Sequence, residues 1–275
     1  MPEAPELAIV RETLHRRVLH ATVESAQVIR PTVLRTLSEV DVPQDIQGRS
    51  FTDISRYGKT LTLSLSGDAA LVIIPMLTGR LRLSSPKARV GKSVCLAVRL
   101  SNGDELRYAD DRQMGMVYYV QTDQIGEISR LQDTGPDVLD EPLSLEEFAG
   151  RLSRFTGEIK GILTRGALVA GIGNAYADEI AWSAGISPFR RRADLTADEI
   201  ERLHQAVHAV PRRAVIVLRE LIGDDIHTER REWLSVHGKA GEECPRCGGR
   251  ISRLNANRRM TDYCMRCQPG LIIRN

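Results

Sequence analysis

Four cysteines near the C-terminus constrain the fold of this chain more than any other feature. They form two Cys-x-x-Cys pairs, Cys244-Pro245-Arg246-Cys247 and Cys264-Met265-Arg266-Cys267, with sixteen residues between the pairs. Each pair can place two thiolates on one tight turn, and two such turns complete a tetrahedral zinc site. The segment between them is too small for a core of its own, so the metal would supply its stability. The pattern predicts a β-hairpin held by one structural Zn²⁺, closed by four protein ligands.

The other end of the chain, Met1-Pro2-Glu3-Ala4-Pro5-Glu6, has two interpretations. Prolines and early carboxylates are common at the start of an ordinary helix. If Met1 is removed, however, Pro2 carries a free secondary amine. An α-amine has a pKa near about 8, so a sizeable fraction is unprotonated at neutral pH. Such an amine can attack C1′ of a sugar and form an iminium, with Glu3 beside it as acid or base.

Charge is distributed unevenly in an otherwise ordinary composition. The 275 residues are 42% hydrophobic and 27% charged, with a net charge of +2, and this length allows two domains. From Lys239 onward, eight Lys or Arg residues face three acidic ones, which makes this segment a candidate phosphate-binding surface. We find no signal segment and no apolar run that would cross a membrane, so we expect a cytoplasmic protein.

The apolar pattern changes along the chain. One helical face recurs over residues 3–19, with Leu7, Val10, Leu14 and Val18. Half-buried antiparallel strands are expected at Thr60–Leu65, Ala70–Ile74, Val94–Leu100 and Met116–Val120. Helices are expected at Leu145–Leu152, Glu158–Leu163, Ala175–Ala184 and Ala197–Leu221. Ser144 and Thr196 are the expected N-caps of the first and last of these, and Pro211 predicts a kink or break. We therefore expect an α+β protein: a helix with an antiparallel β sandwich or barrel, then a helical region and the zinc hairpin.

A glycine-rich turn, Ala170-Gly171-Ile172-Gly173-Asn174, precedes the third of these helices. Its glycines allow close backbone approach to a phosphate, and a helix N-terminus attracts anions. An ordinary turn between two helices explains the same residues equally well.

Together these segments resemble the formamidopyrimidine-DNA glycosylase/endonuclease VIII family of bifunctional base-excision enzymes. The resemblance spans nearly the whole chain and includes the Met-Pro-Glu start, the β region, the 170–179 turn and the four-cysteine ribbon. It implies a β-sandwich catalytic domain over 1–125, a linker over 126–142, a helix-two-turn-helix domain over 143–235 and a zinc finger over 236–275. It also implies a monomer, associated with the nucleoid, that binds damaged double-stranded DNA.

The resemblance assigns catalytic roles near the N-terminus. Pro2 corresponds to the nucleophile, Glu3 to the acid that protonates the departing sugar oxygen, and Glu6 to a supporting carboxylate. Lys59 matches a β-domain lysine that contacts phosphate beside the lesion, although on its own it would be read as a solvated lysine at a strand end.

DNA-contacting residues follow in the same way. Lys160 and Asn174 resemble phosphate contacts of the helical domain, and Arg259 resembles the zinc-finger arginine that binds phosphate bidentately. Arg112 matches the residue facing the orphaned base, while Leu77 and Met114 stand where apolar wedges fill the void of the extruded base.

Three departures from the family pattern bear on the lesion. Ile74–Gly79 lacks the usual histidine and glycine, Arg165-Gly166 replaces a common acidic and amide pair, and Gly223–Trp233 looks shorter than the loop that caps 8-oxoguanine. They leave the lesion preference open, and the short Gly223–Trp233 segment favours oxidised pyrimidines and abasic sites as substrates. Excision of 8-oxoguanine or formamidopyrimidine with altered wedges is the alternative.

The resulting hypothesis is a DNA glycosylase and AP lyase that forms a Schiff base on Pro2 and then carries out β,δ-elimination, with no catalytic metal or redox cofactor. Two other classes explain parts of the sequence. A non-catalytic damaged-DNA binding protein would keep the fold but has no need of a proline amine. A generic zinc-ribbon module would explain the cysteines but not the N-terminus.

Overall fold

Two β-sheets and a long helix occupy the N-terminal part of the chain. A computed structural model describes residues 1–256 and 259–270. The chain divides into two units: the first contains Met1–Asp133 and Leu218–Glu229, and the second contains Thr134–Val217 and the residues from Arg230 onward.

The first unit contains two helices, α1 (Ala4–Arg17) and α2 (Val42–Ile46). Its strands are β1 (Val23–Val28), β2 (Leu34–Thr36), β3 (Phe51–Tyr57), β4 (Thr60–Leu65), β5 (Ala69–Ile74), β6 (Arg80–Ser84), β7 (Val94–Leu100), β8 (Glu105–Ala109) and β9 (Met116–Gln121). One sheet has the order β1-β7-β8-β6 and the other β2-β9-β5-β4-β3. Neighbouring strands are antiparallel except β2 and β9, which run parallel.

Both sheets contribute to one hydrophobic core, which confirms the predicted sandwich. Leu61, Leu63 and Leu65 of β4 are buried, as their spacing predicts, and they belong to the same cluster as Val98 of β7 and Tyr108 of β8. The parallel β2/β9 pair was not expected. It arises because β2 is a three-residue edge strand that the chain reaches from the other sheet through a turn at Pro31–Val33.

The second unit is helical and ends in a hairpin. Its elements are α3 (Leu145–Leu152), α4 (Ile159–Leu163), α5 (Asn174–Ala184), α6 (Ala197–Ile222, which runs into the first unit from Leu218), β10 (Ile251–Ala256) and β11 (Arg259–Cys264). The expected caps are confirmed: the Ser144 hydroxyl accepts from Glu147 N–H at 3.1 Å, and the Thr196 hydroxyl accepts from Glu199 N–H at 3.2 Å. In the described part of the chain, no helix has the length and apolar character needed to span a bilayer.

Helix α6 is continuous through Pro211, so a break there is wrong, whereas a kink stays a prediction. A proline removes one intrahelical hydrogen bond, whereas burial of Leu203, Val207, Ala214 and Leu218 along one face stabilises both halves of this helix.

The segment Leu218–Glu229 is held firmly within the first unit. Arg219 donates two hydrogen bonds to the Glu12 carboxylate, at 2.7 and 3.0 Å, and Arg16 donates to Asp224 at 2.6 Å. Ile226 is buried in the core of the sandwich. This segment therefore completes a unit whose other residues all lie before position 134.

Candidate active site and metal centre

The N-terminal residues form a buried corner at the start of α1. Pro2, Glu3 and Glu6 are all buried, and the Glu6 carboxylate accepts a hydrogen bond from the Glu3 amide at 3.0 Å, as in a capping box. This bond fixes the turn that carries Pro2 and Glu3. The structure thus places the three predicted residues together, with two carboxylates next to the proline in the chain.

Pro2 and Glu6 line a cavity in the first unit that opens to solvent. Its walls are mostly apolar and include paired residues of β4 and β5, Leu61 and Ile73. Its polar lining comes from Glu6, Thr228 and the ion pair between Arg80 and Glu229. Apolar walls with a few polar groups are typical of a small-molecule pocket.

Lys59 occupies the two-residue turn Gly58-Lys59 between β3 and β4. Gly58 has a φ of +56°, a conformation that glycine adopts without strain. Lys59 is half-exposed and lies two residues before Leu61, which lines the cavity. The turn therefore presents a cation at the end of the strand that forms the cavity wall.

One buried carboxylate joins two loops, which carry Leu77, Arg112 and Met114. Leu77 is 42% exposed, Met114 is 46% exposed, and Arg112 is also exposed. The buried Asp110 accepts hydrogen bonds from the Thr78 hydroxyl and from backbone amides of the second loop. Large apolar side chains on anchored loops fit the predicted role as wedges, and sequence reasoning had not identified Asp110 as their common partner.

Asn174 and Lys160 both donate to the Met260 carbonyl of β11, at 3.0 and 2.8 Å. Asn174 begins α5 after the glycine-rich turn, in which Gly171 has a φ of +103°. The Lys160 ammonium is 5% exposed as a residue and also contacts Asp178 Oδ1 at 2.6 Å and Thr261 Oγ1 at 2.9 Å. All three of its donors thus face protein groups, which favours a positioning role over the predicted phosphate contact. Arg259 begins β11, and its side chain lies outside the described residues.

A buried charge network surrounds Lys160, and the sequence interpretation missed it. Asp178 accepts from His237 Nδ1 at 2.8 Å, and Asp262 accepts two hydrogen bonds from Arg253, at 2.7 and 2.9 Å. The side-chain ligand atoms of Asp178, His237 and Asp262 lie within 4.8 Å of one another, the spacing of a possible metal site. Because Lys160 and Arg253 already compensate the two carboxylates, this cluster is best explained as an internal ion-pair network.

The next residue, Glu179, also connects parts of the second unit. Its carboxylate accepts three backbone hydrogen bonds from Ser235, Val236 and His237, at 2.8–2.9 Å. Helix α5 thereby fixes the segment that leads into the zinc finger.

The four predicted cysteines converge on one point. Cys244 and Cys267 have sulfurs 3.8 Å apart, and those of Cys247 and Cys264 are 3.4 Å apart. All four lie within 4.8 Å of one another. A zinc ion with Zn–S bonds of about 2.3 Å needs sulfurs separated by about 3.8 Å, so the arrangement fits a tetrahedral zinc site.

These thiols respond unequally to burial and to their neighbours. Burial and the neighbouring sulfurs raise the pKa of Cys267 to about 12. Burial also opposes ionisation of Cys244, but N–H groups of Arg246, Trp182 and Cys247 directed at its sulfur lower its pKa to about 6. Bound Zn²⁺ would hold all four sulfurs as thiolates, because thiolates are the form in which cysteine ligates zinc. The site is a structural zinc centre, as predicted.

Three family models match the chain in order. They describe the formamidopyrimidine-DNA glycosylase N-terminal domain (residues 1–117), the formamidopyrimidine-DNA glycosylase H2TH domain (134–223) and a zinc finger found in FPG and IleRS (241–270).

Full-length relatives agree with these matches. Formamidopyrimidine-DNA glycosylase of Symbiobacterium thermophilum is 34% identical over 274 residues, covering 98% of this chain and 90% of the relative. That of Desulforamulus reducens is 33% identical over 277 residues, covering 98% and 100%. A Lactococcus lactis enzyme in complex with abasic-site DNA superposes with a TM-score of 0.89 at 29% identity, covering 98% of this chain and 100% of that one. Its complex with a Fapy-dG-containing DNA gives 0.88 at the same identity and coverage. The chain therefore belongs to the formamidopyrimidine-DNA glycosylase/endonuclease VIII family of DNA glycosylases and AP lyases.

Proposed function

We propose that this protein excises damaged bases from duplex DNA and cleaves the resulting abasic site, with the nitrogen of Pro2 as the nucleophile. The observation that carries the proposal is the buried corner in which Pro2 and Glu6 line the cavity and Glu6 fixes the Glu3 backbone. A secondary amine beside two carboxylates supplies the nucleophile and the acid that base excision needs.

The proposed reaction begins after Met1 is removed. The lone pair of the Pro2 nitrogen attacks C1′, the bond between C1′ and the base breaks, and the base leaves with the proton that the Pro2 nitrogen gives up. Glu3 protonates the sugar ring oxygen, so that the ring opens and an iminium joins Pro2 to C1′. Loss of a C2′ proton then expels the 3′ phosphate in β-elimination, and δ-elimination expels the 5′ phosphate.

Duplex DNA is the proposed partner because the Lactococcus lactis relative is seen in complex with abasic-site and Fapy-dG-containing DNA. Lys59, Asn174 and Arg259 are the proposed phosphate contacts, which position DNA without reading its sequence. Lys160 holds the Met260 carbonyl next to Arg259 and would assist that contact indirectly. Leu77 and Met114 would fill the void left by the extruded nucleotide, with Arg112 facing the orphaned base.

Two classes of lesion are proposed as substrates, in order of preference. Abasic sites and oxidised pyrimidines follow from the short Gly223–Trp233 segment. Formamidopyrimidines are the second candidate, because the relatives are named for that activity. A panel of duplexes, each with one defined lesion and a varied opposite base, distinguishes them by the rate of excision.

Borohydride trapping tests the chemistry. Reduction of the iminium should give a covalent adduct between wild-type protein and abasic duplex, and peptide mapping should place it on Pro2. The Pro2→Gly variant, checked for the same duplex affinity, should give much less adduct. If wild-type protein binds damaged duplex but forms no adduct and cuts no strand, the non-catalytic binding alternative is correct. Mass spectrometry that finds Met1 retained would exclude Pro2 as the nucleophile.

A further inference from the structure

The two loops that carry the proposed wedges are anchored to a single side chain. Leu77 belongs to the loop Pro75–Gly79, and Met114 belongs to the loop Asp111–Gly115. Asp110 is 1% exposed and lies directly before the second loop. Its carboxylate provides the acceptors for both.

The hydrogen bonds divide between the two carboxylate oxygens. Oδ1 accepts from the Thr78 hydroxyl of the first loop and from the Arg112 amide of the second at 3.1 Å. Oδ2 accepts from the Gly115 amide at 2.7 Å and from the Tyr108 hydroxyl at 3.5 Å. The Arg112 amide also reaches the Thr78 hydroxyl at 3.2 Å, so the loops contact each other as well.

Each wedge residue follows a non-glycine residue that has a positive φ. Met76, before Leu77, has a φ of +51°, and Gln113, before Met114, has a φ of +52°. Non-glycine residues adopt this region at a cost and keep it only where surrounding contacts hold them. The hydrogen bonds to Asp110 flank both positions and act beside contacts of the two residues themselves, since Met76 packs against a buried cluster and the Gln113 side chain accepts from Thr32.

Close packing limits the alternatives available to these loops. A Cβ at Gly79 or at Gly115 would overlap the Tyr108 hydroxyl. Each loop therefore passes against the same buried ring, and the Asp110 carboxylate is the polar group that fixes them there.

We propose that Asp110 is a positioning residue that couples Leu77 and Met114, so that the two side chains act on the duplex as one unit. This inference rests on the proposed function, because it assigns both residues to the DNA. It predicts that loss of the Asp110 carboxylate prevents both side chains from inserting into the duplex. In that background, truncation of either wedge should have little further effect on duplex binding.

The test uses full-length, zinc-loaded protein and a duplex with a tetrahydrofuran abasic analogue opposite 2-aminopurine. Insertion of the wedges unstacks the 2-aminopurine and raises its fluorescence. In Asp110→Asn, an amide replaces one acceptor oxygen, and the fluorescence rise should fall to that of the Leu77→Ala/Met114→Ala double variant. Asp53→Asn, which changes an exposed carboxylate outside both loops, should behave as wild type.

A double-mutant cycle separates coupling from simple loss of structure. Each wedge truncation should weaken duplex binding by about tenfold in the wild-type background and by less than about twofold in Asp110→Asn. Thr78→Val provides a second variant should Asp110→Asn fail to fold. It removes the hydroxyl that joins the first loop to Asp110 and to the Arg112 amide, whereas the second loop keeps the bonds from Arg112 and Gly115 to Asp110. Leu77→Ala should therefore lose most of its effect in this background, and Met114→Ala should lose less.

The outcomes are distinct. Additive truncation effects in both backgrounds, or wild-type fluorescence in Asp110→Asn, would overturn the role of Asp110. If wild-type protein neither binds this duplex nor changes its fluorescence, the proposed function itself fails.

Discussion

Replacement of Lys160 by methionine should destabilise the second unit strongly. Met retains most of the aliphatic side chain but removes the ammonium, which contacts Asp178 Oδ1, the Met260 carbonyl and Thr261 Oγ1. Asp178 is 0% exposed, so its charge would stay buried and keep the hydrogen bonds from His237 Nδ1 and the Asp262 amide but lose the ammonium. Removing one partner of a buried ion pair costs about 3–5 kcal/mol, and we expect a loss of that size.

The two tryptophans of the chain make this change measurable. Trp182 and Trp233 both belong to the second unit, so denaturant unfolding followed by intrinsic fluorescence reports on that unit alone. In zinc-saturated buffer, the exposed Arg154→Met variant serves as the control for loss of a surface charge. Lys160→Met/Asp178→Asn should lose about 2 kcal/mol less than the sum of the single variants, because it leaves no unpaired charge.

The reasoning would be refuted by Lys160→Met protein that unfolds at the wild-type denaturant concentration. If the same protein bound duplex DNA more weakly, the ammonium would act mainly on phosphate, as the sequence first suggested. A loss of stability with a normal unfolding slope supports the internal role.

Three further predictions concern catalysis, zinc and pH. Glu3→Gln removes the proposed acid but keeps the shape of the side chain. The rate of excision in single turnover should fall by about 10²–10⁴-fold, while the affinity for an uncleavable abasic duplex persists. Equal loss of rate and affinity would assign Glu3 a structural role. Trp182→Phe removes the N–H donor 3.4 Å from Cys244 Sγ, so the affinity for zinc, measured by competition with a coloured chelator, should fall about tenfold. Trp233→Phe is the control: its indole donates to the Arg230 carbonyl, and the variant should match wild type. His208 is 8% exposed, and burial, His204 and Arg212 lower its pKa from 6.5 to about 4, so the folded state resists its protonation. Unfolding free energy should therefore fall by up to about 3 kcal/mol between pH 7 and pH 4, and His208→Leu should remove that part of the pH dependence.

Strands with apolar alternation could be found in the sequence, and strands without it could not. Residues Thr60–Leu65 and Val94–Leu100 were predicted with the bounds that β4 and β7 have. Strand β8 was missed because Arg107 interrupts its pattern. That arginine is nevertheless 1% exposed, since Glu105 and three backbone carbonyls satisfy its guanidinium. Whether such a charge is buried depends on partners that only the tertiary structure brings together.

The candidate site likewise contains residues that the sequence identified and residues that it did not. The zinc ligands have a spacing that only a few structures explain, so the sequence sufficed for them. Thr78, which joins the first loop to Asp110, lies 32 residues from it in the chain, and Met260 lies 100 residues from Lys160. No local pattern marks them, because a lone buried carboxylate or ammonium looks like a surface charge in sequence.

The return of Leu218–Glu229 to the first unit has a consequence for how the chain acquires its structure. A fragment ending at Asp133 would lack Ile226 from its core and the Arg219 partner of Glu12. Domains generally fold in the order of synthesis, but here the sandwich cannot be completed until residues made some eighty positions later have left the ribosome. Truncation and domain-exchange experiments must therefore keep this late segment with the N-terminal half, and nascent chains will remain incomplete until it emerges.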